Sequence, residues 1–168
     1  MKTKKRIILV GAAASGKDFF RDFLNKKGYN VSVSKTTRAK RAGEVEGYTY
    51  DYIPEATFLR MKEDGAFHEH VIFNGWGYGT TVESFKNDSA FIFTPSGIES
   101  IGRDEARESV IVYFKIPIHV RMERMHDRSD SDTVDRRIAA DAIDFMDFDE
   151  WDIKVSDPFY NAEALLET

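Results

Sequence analysis

The chain has 168 residues, 42% of them hydrophobic and 13% aromatic, which suits one globular domain with a real core and argues against disorder. It contains no cysteine, so disulfides and thiolate metal sites are excluded, and a reducing, cytoplasmic setting is expected. A formal charge of −5 sets the surface against DNA, RNA or an anionic membrane, so a phosphorylated ligand calls for a local basic pocket.

Arg6 to Val10 is a β-branched run ending at a glycine and reads as a buried first strand. Lys2, Lys4, Lys5 and Arg6 ahead of it, with the small residues Gly11 to Ala14 behind, mimic a secretory signal, but a phosphate-loop pattern explains those residues better. No segment approaches the ~20 apolar residues of a membrane span. Phe19, Phe20, Phe23 and Leu24 recur at helical spacing, so a helix is expected from Gly16 to Lys26. Val31 to Ser34 reads as a second strand, and the polar, basic stretch from Lys35 to Gly47 as a surface loop. Tyr48 to Ile53 reads as a strand, Pro54 to Glu63 as a helix opened by proline, and Ala66 to Phe73 as another strand.

Gly75, Gly77 and Gly79 punctuate the next expected turn. Ala90 to Phe93 and Val110 to Phe114 are apolar runs of the kind buried in parallel sheets. Each precedes an expected helix, one around Ile98 and one from Ile118 to Met125. Arg128 to Asp132 is fully polar and reads as a mobile loop; Val134 to Phe145 returns to helical periodicity, and Trp151 to Val155 reads as a last strand. The acidic run from Asp141 to Asp152 is expected to bury its aromatic residues and expose its carboxylates. The alternation of strand and helix predicts an α/β fold, a parallel sheet covered by helices.

Gly11-Ala12-Ala13-Ala14-Ser15-Gly16-Lys17 matches a nucleoside triphosphate loop between strand and helix. Its glycines permit a backbone whose N–H groups turn toward phosphate oxygens, and Lys17 can reach the β and γ phosphates. The candidate ATP-binding residues are therefore Gly11, Ala14, Ser15, Gly16, Lys17 and Asp18. Asp18 stands where serine or threonine usually helps hold Mg²⁺; it either supplies a hard oxygen ligand or only favours the first helical turn.

Ser34-Lys35-Thr36-Thr37-Arg38 through Arg41, Gly43 and Glu44, then Tyr50, Gly65 to His70 and Gly75 to Thr80, resembles the acceptor segments of guanylate kinases. The resemblance is dense through Thr80 and looser beyond. It implies a phosphate-loop three-layer fold with a parallel sheet core, a small mixed-β monophosphate-binding insert and a short lid. The implied division of the single domain is a core of 1–33, 89–122 and 138–168, a monophosphate segment 34–88 and a lid 123–137. It also implies phosphoryl transfer from ATP to GMP or dGMP, with Mg²⁺ as cofactor, in a monomer or dimer.

The chemistry of the residues agrees with the resemblance. Arg38 and Arg41 can fork onto a dianionic monophosphate, and Tyr50 and Tyr78 can donate hydroxyls to it. Glu69 can accept both Watson–Crick donors of guanine, while Ser34 and Thr80 can donate to the base. Glu44 and Gly79 complete the acceptor set that the resemblance implies. His68 and His70 are expected on one side of a strand, with no third ligand nearby to make a metal site.

Two departures stand out. Where the family carries acidic residues at a strand end, this chain has Phe91-Ile92-Phe93-Thr94-Pro95-Ser96-Gly97, and Asp18 is a candidate to replace part of the lost charge. The lid looks shorter, with Arg124, Arg128, Arg136 and Arg137 around Ser129 to Asp135; Arg128, Arg137 and Arg124 are the candidate catalytic cations beside Lys17. A broader nucleoside monophosphate kinase, a sugar-phosphate kinase and a catalytically inactive binding module are the alternatives.

Overall fold

The computed structural model describes residues 6–126 and 133–168. Strand β1 (Arg6–Gly11) is followed by α1 (Lys17–Lys26), then by β2 (Lys35–Thr36), β3 (Asp51–Tyr52), α2 (Glu55–Glu63), β4 (Phe67–Phe73), β5 (Trp76–Thr81) and α3 (Val82–Asn87). The chain continues through β6 (Ala90–Ile92), α4 (Pro95–Ile101), α5 (Arg103–Arg107), β7 (Ser109–Phe114), α6 (Ile118–His126), α7 (Val134–Asp144), β8 (Ile153–Val155) and α8 (Ala162–Glu167).

The strands form two sheets. The first has the order β6-β1-β7-β8, every neighbour parallel, with β1 paired along both edges. Alternation along β1 sends Ile7 and Leu9 to one face, against Phe20 and Leu24 of α1 and Leu165 of α8. Ile8 and Val10 go to the other, among Phe85, Phe91, Ile98 and Tyr113. Helices therefore cover both faces in three layers, as expected for a parallel sheet. Each fully buried leucine or phenylalanine, Leu24 and Phe20 among them, contributes about 1.5–3 kcal/mol.

The second sheet has the order β3-β2-β5-β4, with β3 parallel to β2 and the remaining pairs antiparallel. Here three sequence expectations need correction. The strand expected over Val31 to Ser34 is reduced to one bridge between Val31 and Ala90 at the edge of the first sheet. Regular pairing begins at Lys35, inside the stretch expected to be a surface loop, and Thr36 and Arg38 are buried. The strand expected over Tyr48 to Ile53 shortens to Asp51–Tyr52.

The expected glycine turn is also mostly strand. Only Asn74 and Gly75 turn, at φ 52° and 83°, whereas Gly77 and Gly79 lie within β5. A Cβ on Gly77 would sit 2.8 Å from the Phe58 ring, and one on Gly79 would sit 2.6 Å from the Phe67 ring. The glycines make room for aromatic packing, a reason invisible to turn statistics.

His68 and His70 have separate surroundings. The β4–β5 register shifts between Phe67 and Glu69, His68 stacks on Phe85 at 3.7 Å and bonds Glu105 at 2.7 Å, and His70 is exposed. Among the described residues no cluster of three His, Cys, Asp or Glu forms a metal site, and no helix is long and apolar enough to cross a membrane.

Candidate active site

The loop between β1 and α1 carries two left-handed residues, Ala14 at φ 60° and Gly16 at φ 86°. Gly11 must lack a side chain, because a Cβ there would lie 2.4 Å from Ser15 Oγ. The loop is held from outside. Arg124 donates to the Ala14 carbonyl at 2.9 Å and to the Pro158 carbonyl at 3.2 Å, and the Tyr160 hydroxyl donates to the Gly16 carbonyl at 3.0 Å. Lys17 Nζ lies 3.5 Å from the Ala12 carbonyl.

One cavity joins this loop to the second sheet. Gly11, Ala14, Lys17 and Asp18 line it from the loop, and Ser34, Arg38, Arg41 and Glu44 from the chain around β2. Tyr50, Glu69, Tyr78 and Gly79 complete the acceptor side, and Arg137 enters from α7. Lys17, Arg38 and Arg41 thus share one cleft. Thr80 is buried behind it, paired in register with Glu69. Ser15, Gly16 and Arg124 face a second cleft on the far side of the loop, with Pro158, Phe159 and Tyr160. Arg128 lies outside the described residues.

Arg38 is only 4% exposed and forks onto Glu44, at 3.0 Å and 2.7 Å. Glu44 also accepts from the Tyr52 hydroxyl at 2.6 Å and from the Arg41 N–H at 2.8 Å. Burial raises the Glu44 carboxyl, but the bonds from Arg38, Tyr52 and Arg41 outweigh it and hold the group at about 2. Glu44 is therefore a fixed anion that sets the Arg38 fork. The Arg38 guanidinium lies 5.4 Å from the Tyr50 ring centre, and Tyr50 and Tyr78 meet edge to face at 5.8 Å. Tyr52 was not among the sequence candidates, and its spacing two residues after Tyr50 along a strand was the available signal.

Glu69, 5% exposed, differs in kind. Burial pushes its carboxyl up to about 7. Thr80 pulls the other way, although its hydroxyl falls short of hydrogen-bonding geometry. Glu69 thus titrates near neutrality and faces the cavity with no ion pair to a cation among the described residues.

Among the described residues the expected basic pocket is not basic in sum. Lys17, Arg38, Arg41 and Arg137 line the cavity against five carboxylates, Asp18, Glu44, Glu69, Asp141 and Asp144. The reason is that the acidic run does not expose all its carboxylates, as expected, but splits. Asp147, Asp149 and Glu150 are exposed, whereas Asp141 and Asp144 turn inward on the helix face that carries Arg137. Phe145, Phe148 and Trp151 surround Tyr113 as expected, but Met146 is 72% exposed.

Asp141 accepts the Ala13 N–H at 3.0 Å and lies 3.6 Å from Arg121. Burial raises its carboxyl, opposed by the Ala13 bond, Lys17, Arg121 and Arg137. Asp144 accepts from Ser96 at 3.2 Å, while its buried Oδ2 has no hydrogen-bond partner among the described residues. Spacing of four and seven residues from Arg137, which keeps all three on one helix face, was the sequence signal for both. Arg136 reaches back to the Asn74 carbonyl at 3.0 Å and lies over the Trp76 ring, tying α7 to the second sheet.

Thr94, at the strand end without a carboxylate, caps α4 by accepting the Gly97 N–H at 3.1 Å. Asp18, with a half-exposed side chain 3.7 Å from Arg21, lines both clefts.

A parallel sheet with a phosphate loop at the end of β1, facing an acceptor sheet across one cavity, defines a phosphate-loop nucleoside monophosphate kinase. A family model described as guanylate kinase matches residues 3–158. A guanylate kinase of Legionella pneumophila (strain Paris) is 36% identical over 148 residues, covering 82% of this chain and 70% of that protein. One from Idiomarina loihiensis is 33% identical over 175 aligned positions, covering 96% and 82%. In fold the chain is similar to the crystal structure of guanylate kinase from Anaplasma phagocytophilum, with TM-score 0.71, 20% identity and coverage of 99% and 83%. A sugar kinase from Janibacter sp. is similar at TM-score 0.53 and 12% identity. The chain belongs to the guanylate kinase family.

Proposed function

We propose that this chain transfers the terminal phosphoryl group of ATP to GMP or dGMP, giving ADP and the nucleoside diphosphate. The observation that carries this reading is the single cavity with Lys17 and the phosphate loop at one end, Arg38, Arg41, Tyr50 and Tyr78 at the other, and Glu69 buried in its wall. The loop N–H groups and Lys17 bind the triphosphate. Arg38 and Arg41, with the two tyrosine hydroxyls, hold the acceptor phosphate in line with it. Glu69, when ionised, accepts the two Watson–Crick donors of guanine, supported by Ser34 and Thr80.

An acceptor phosphate oxygen attacks the γ phosphorus as the bond to the β-bridging oxygen breaks. Positioned guanidinium groups stabilise the charge spread over the transferring oxygens, and Arg137 is the described candidate. Arg128 and Arg124 keep their proposed roles in a lid over residues 123–137, with 34–88 as the monophosphate segment and the remainder as core. As the structure stands, Arg124 braces the phosphate loop.

The donor set fits Mg²⁺, since one or two carboxylates beside substrate phosphates are its usual protein ligands and Asp18 faces the cavity there. When bound, the ion would offset charge between the nucleotides, which matters in a cavity where the charges of the described residues nearly cancel. The absence of cysteine supports a cytoplasmic setting.

ATP consumption across GMP, dGMP, AMP, CMP, dTMP and ribose phosphates tests the reading. Turnover confined to the guanine nucleotides is expected. Equal rates with all bases would favour a broad nucleotide kinase, preference for ribose phosphate a sugar-phosphate kinase, and no turnover a binding module.

A further inference from the structure

Ala13 is gripped through both of its main-chain polar groups by the two helices on either side of residues 127–132. Its N–H donates to Asp141 of α7 at 3.0 Å, and its carbonyl lies 3.5 Å from Arg121 Nη1 of α6. The next carbonyl, of Ala14, is held by Arg124 of α6 at 2.9 Å. Both carbonyls are thus engaged by guanidinium groups at the back of the loop.

Ala14 itself sits at φ 60°, a left-handed conformation that costs an alanine free energy unless its surroundings impose it. The grip is next to the strain. Asp141 is 6% exposed, lies 3.6 Å from Arg121, and completes a closed set of contacts with Ala13.

We propose that Asp141 is a positioning residue for ATP: by holding the Ala13 N–H from α7, it keeps the strained phosphate loop in its binding shape before nucleotide arrives. The identity of the nucleotide rests on the function proposed above. A carboxylate next to a triphosphate repels it, and this repulsion is offset by Arg121, Lys17 and Arg137, which all act on Asp141. What the loop gains is a backbone already ordered, so that binding does not have to order it.

Calorimetric binding of a non-hydrolysable ATP analogue and of GMP, each with Mg²⁺, to wild type, Asp141→Ala and Asp141→Asn tests the proposal. Losing a buried hydrogen bond to a charged acceptor is expected to weaken the ATP analogue about tenfold in Asp141→Ala, with GMP affinity unchanged. Asp141→Asn keeps an oxygen for the Ala13 N–H, so most of the loss is recovered. Equal weakening of both nucleotides, an ATP affinity within twofold of wild type, or failure of the asparagine to rescue would each overturn it.

If Asp141→Ala does not fold, hydrogen exchange of the Ala13 amide in nucleotide-free wild type decides the matter. Strong protection supports the proposal and exchange at the free-peptide rate overturns it. That measurement uses no substrate, so it stands apart from whether GMP is the acceptor.

Discussion

Glu69 should make guanine recognition depend on pH in the physiological range. Its carboxyl is held at about 7, and only the ionised form accepts two donors from guanine. At pH 6 about one molecule in eleven has Glu69 ionised, so GMP affinity should fall about tenfold between pH 8 and pH 6. The GMP phosphate also gains a proton near pH 6, a separate cause of weakening. Glu69→Gln removes only the first effect: its affinity should be lower at pH 8, by about 1.5–3 kcal/mol for a lost charged bond, and should follow the phosphate alone as pH falls.

The assay is calorimetric GMP binding from pH 5.5 to 8.5 in both proteins, with ATP analogue binding as control. The wild-type curve should fall more steeply and meet the glutamine curve near pH 5.5. Parallel curves would refute the assignment. In stability the sign is opposite: a carboxyl raised from 4.5 to about 7 favours the fold fully below pH 4.5, and this contribution is lost as pH rises through 7.

Lys17→Ala should lower kcat by about 10²–10³-fold while the melting temperature stays within a few degrees, measured by coupled assay and calorimetry. Arg38→Lys replaces a fork with a point charge and leaves Glu44 under-bonded, so the KM for GMP should rise about tenfold or more while that for ATP holds. Gly79→Ala drives a methyl to 2.6 Å from the Phe67 ring and should cost about 1–3 kcal/mol, visible as a lowered melting temperature.

The first sheet and its phosphate loop were legible because their causes are local: β-branched runs, helical periodicity, and a glycine pattern between them. The acceptor arginines and Glu69 were legible through resemblance, since nothing local distinguishes Arg38 from a solvated loop residue. What escaped depends on tertiary neighbours. Gly77 and Gly79 yield to rings from Phe58 and Phe67, distant in sequence, so they read as turn residues. Asp141 and Asp144 sit in an acidic run that reads as solvated, and tertiary contacts of α7, with the phosphate loop for Asp141 and with Ser96 of α4 for Asp144, separate them from Asp147 and Asp149. The short helices α3, α5 and α8 went unread, because five or six residues give too little periodicity to detect.

The second sheet is stitched with hydroxyls where its strands run out. Thr36 Oγ1 donates to the Gly77 carbonyl and accepts the Arg38 N–H, while Thr37 Oγ1 accepts from the Gly77 N–H. Strands β2 and β3 are only two residues long, so these three bonds carry much of the local cohesion. Such a sheet should breathe on its own, sub-globally, well before the parallel sheet opens. Valine at 36 or 37 would preserve the shape of the residue yet unfasten the main chain that carries Arg38 from Gly77, loosening the grip on an acceptor without unfolding the enzyme.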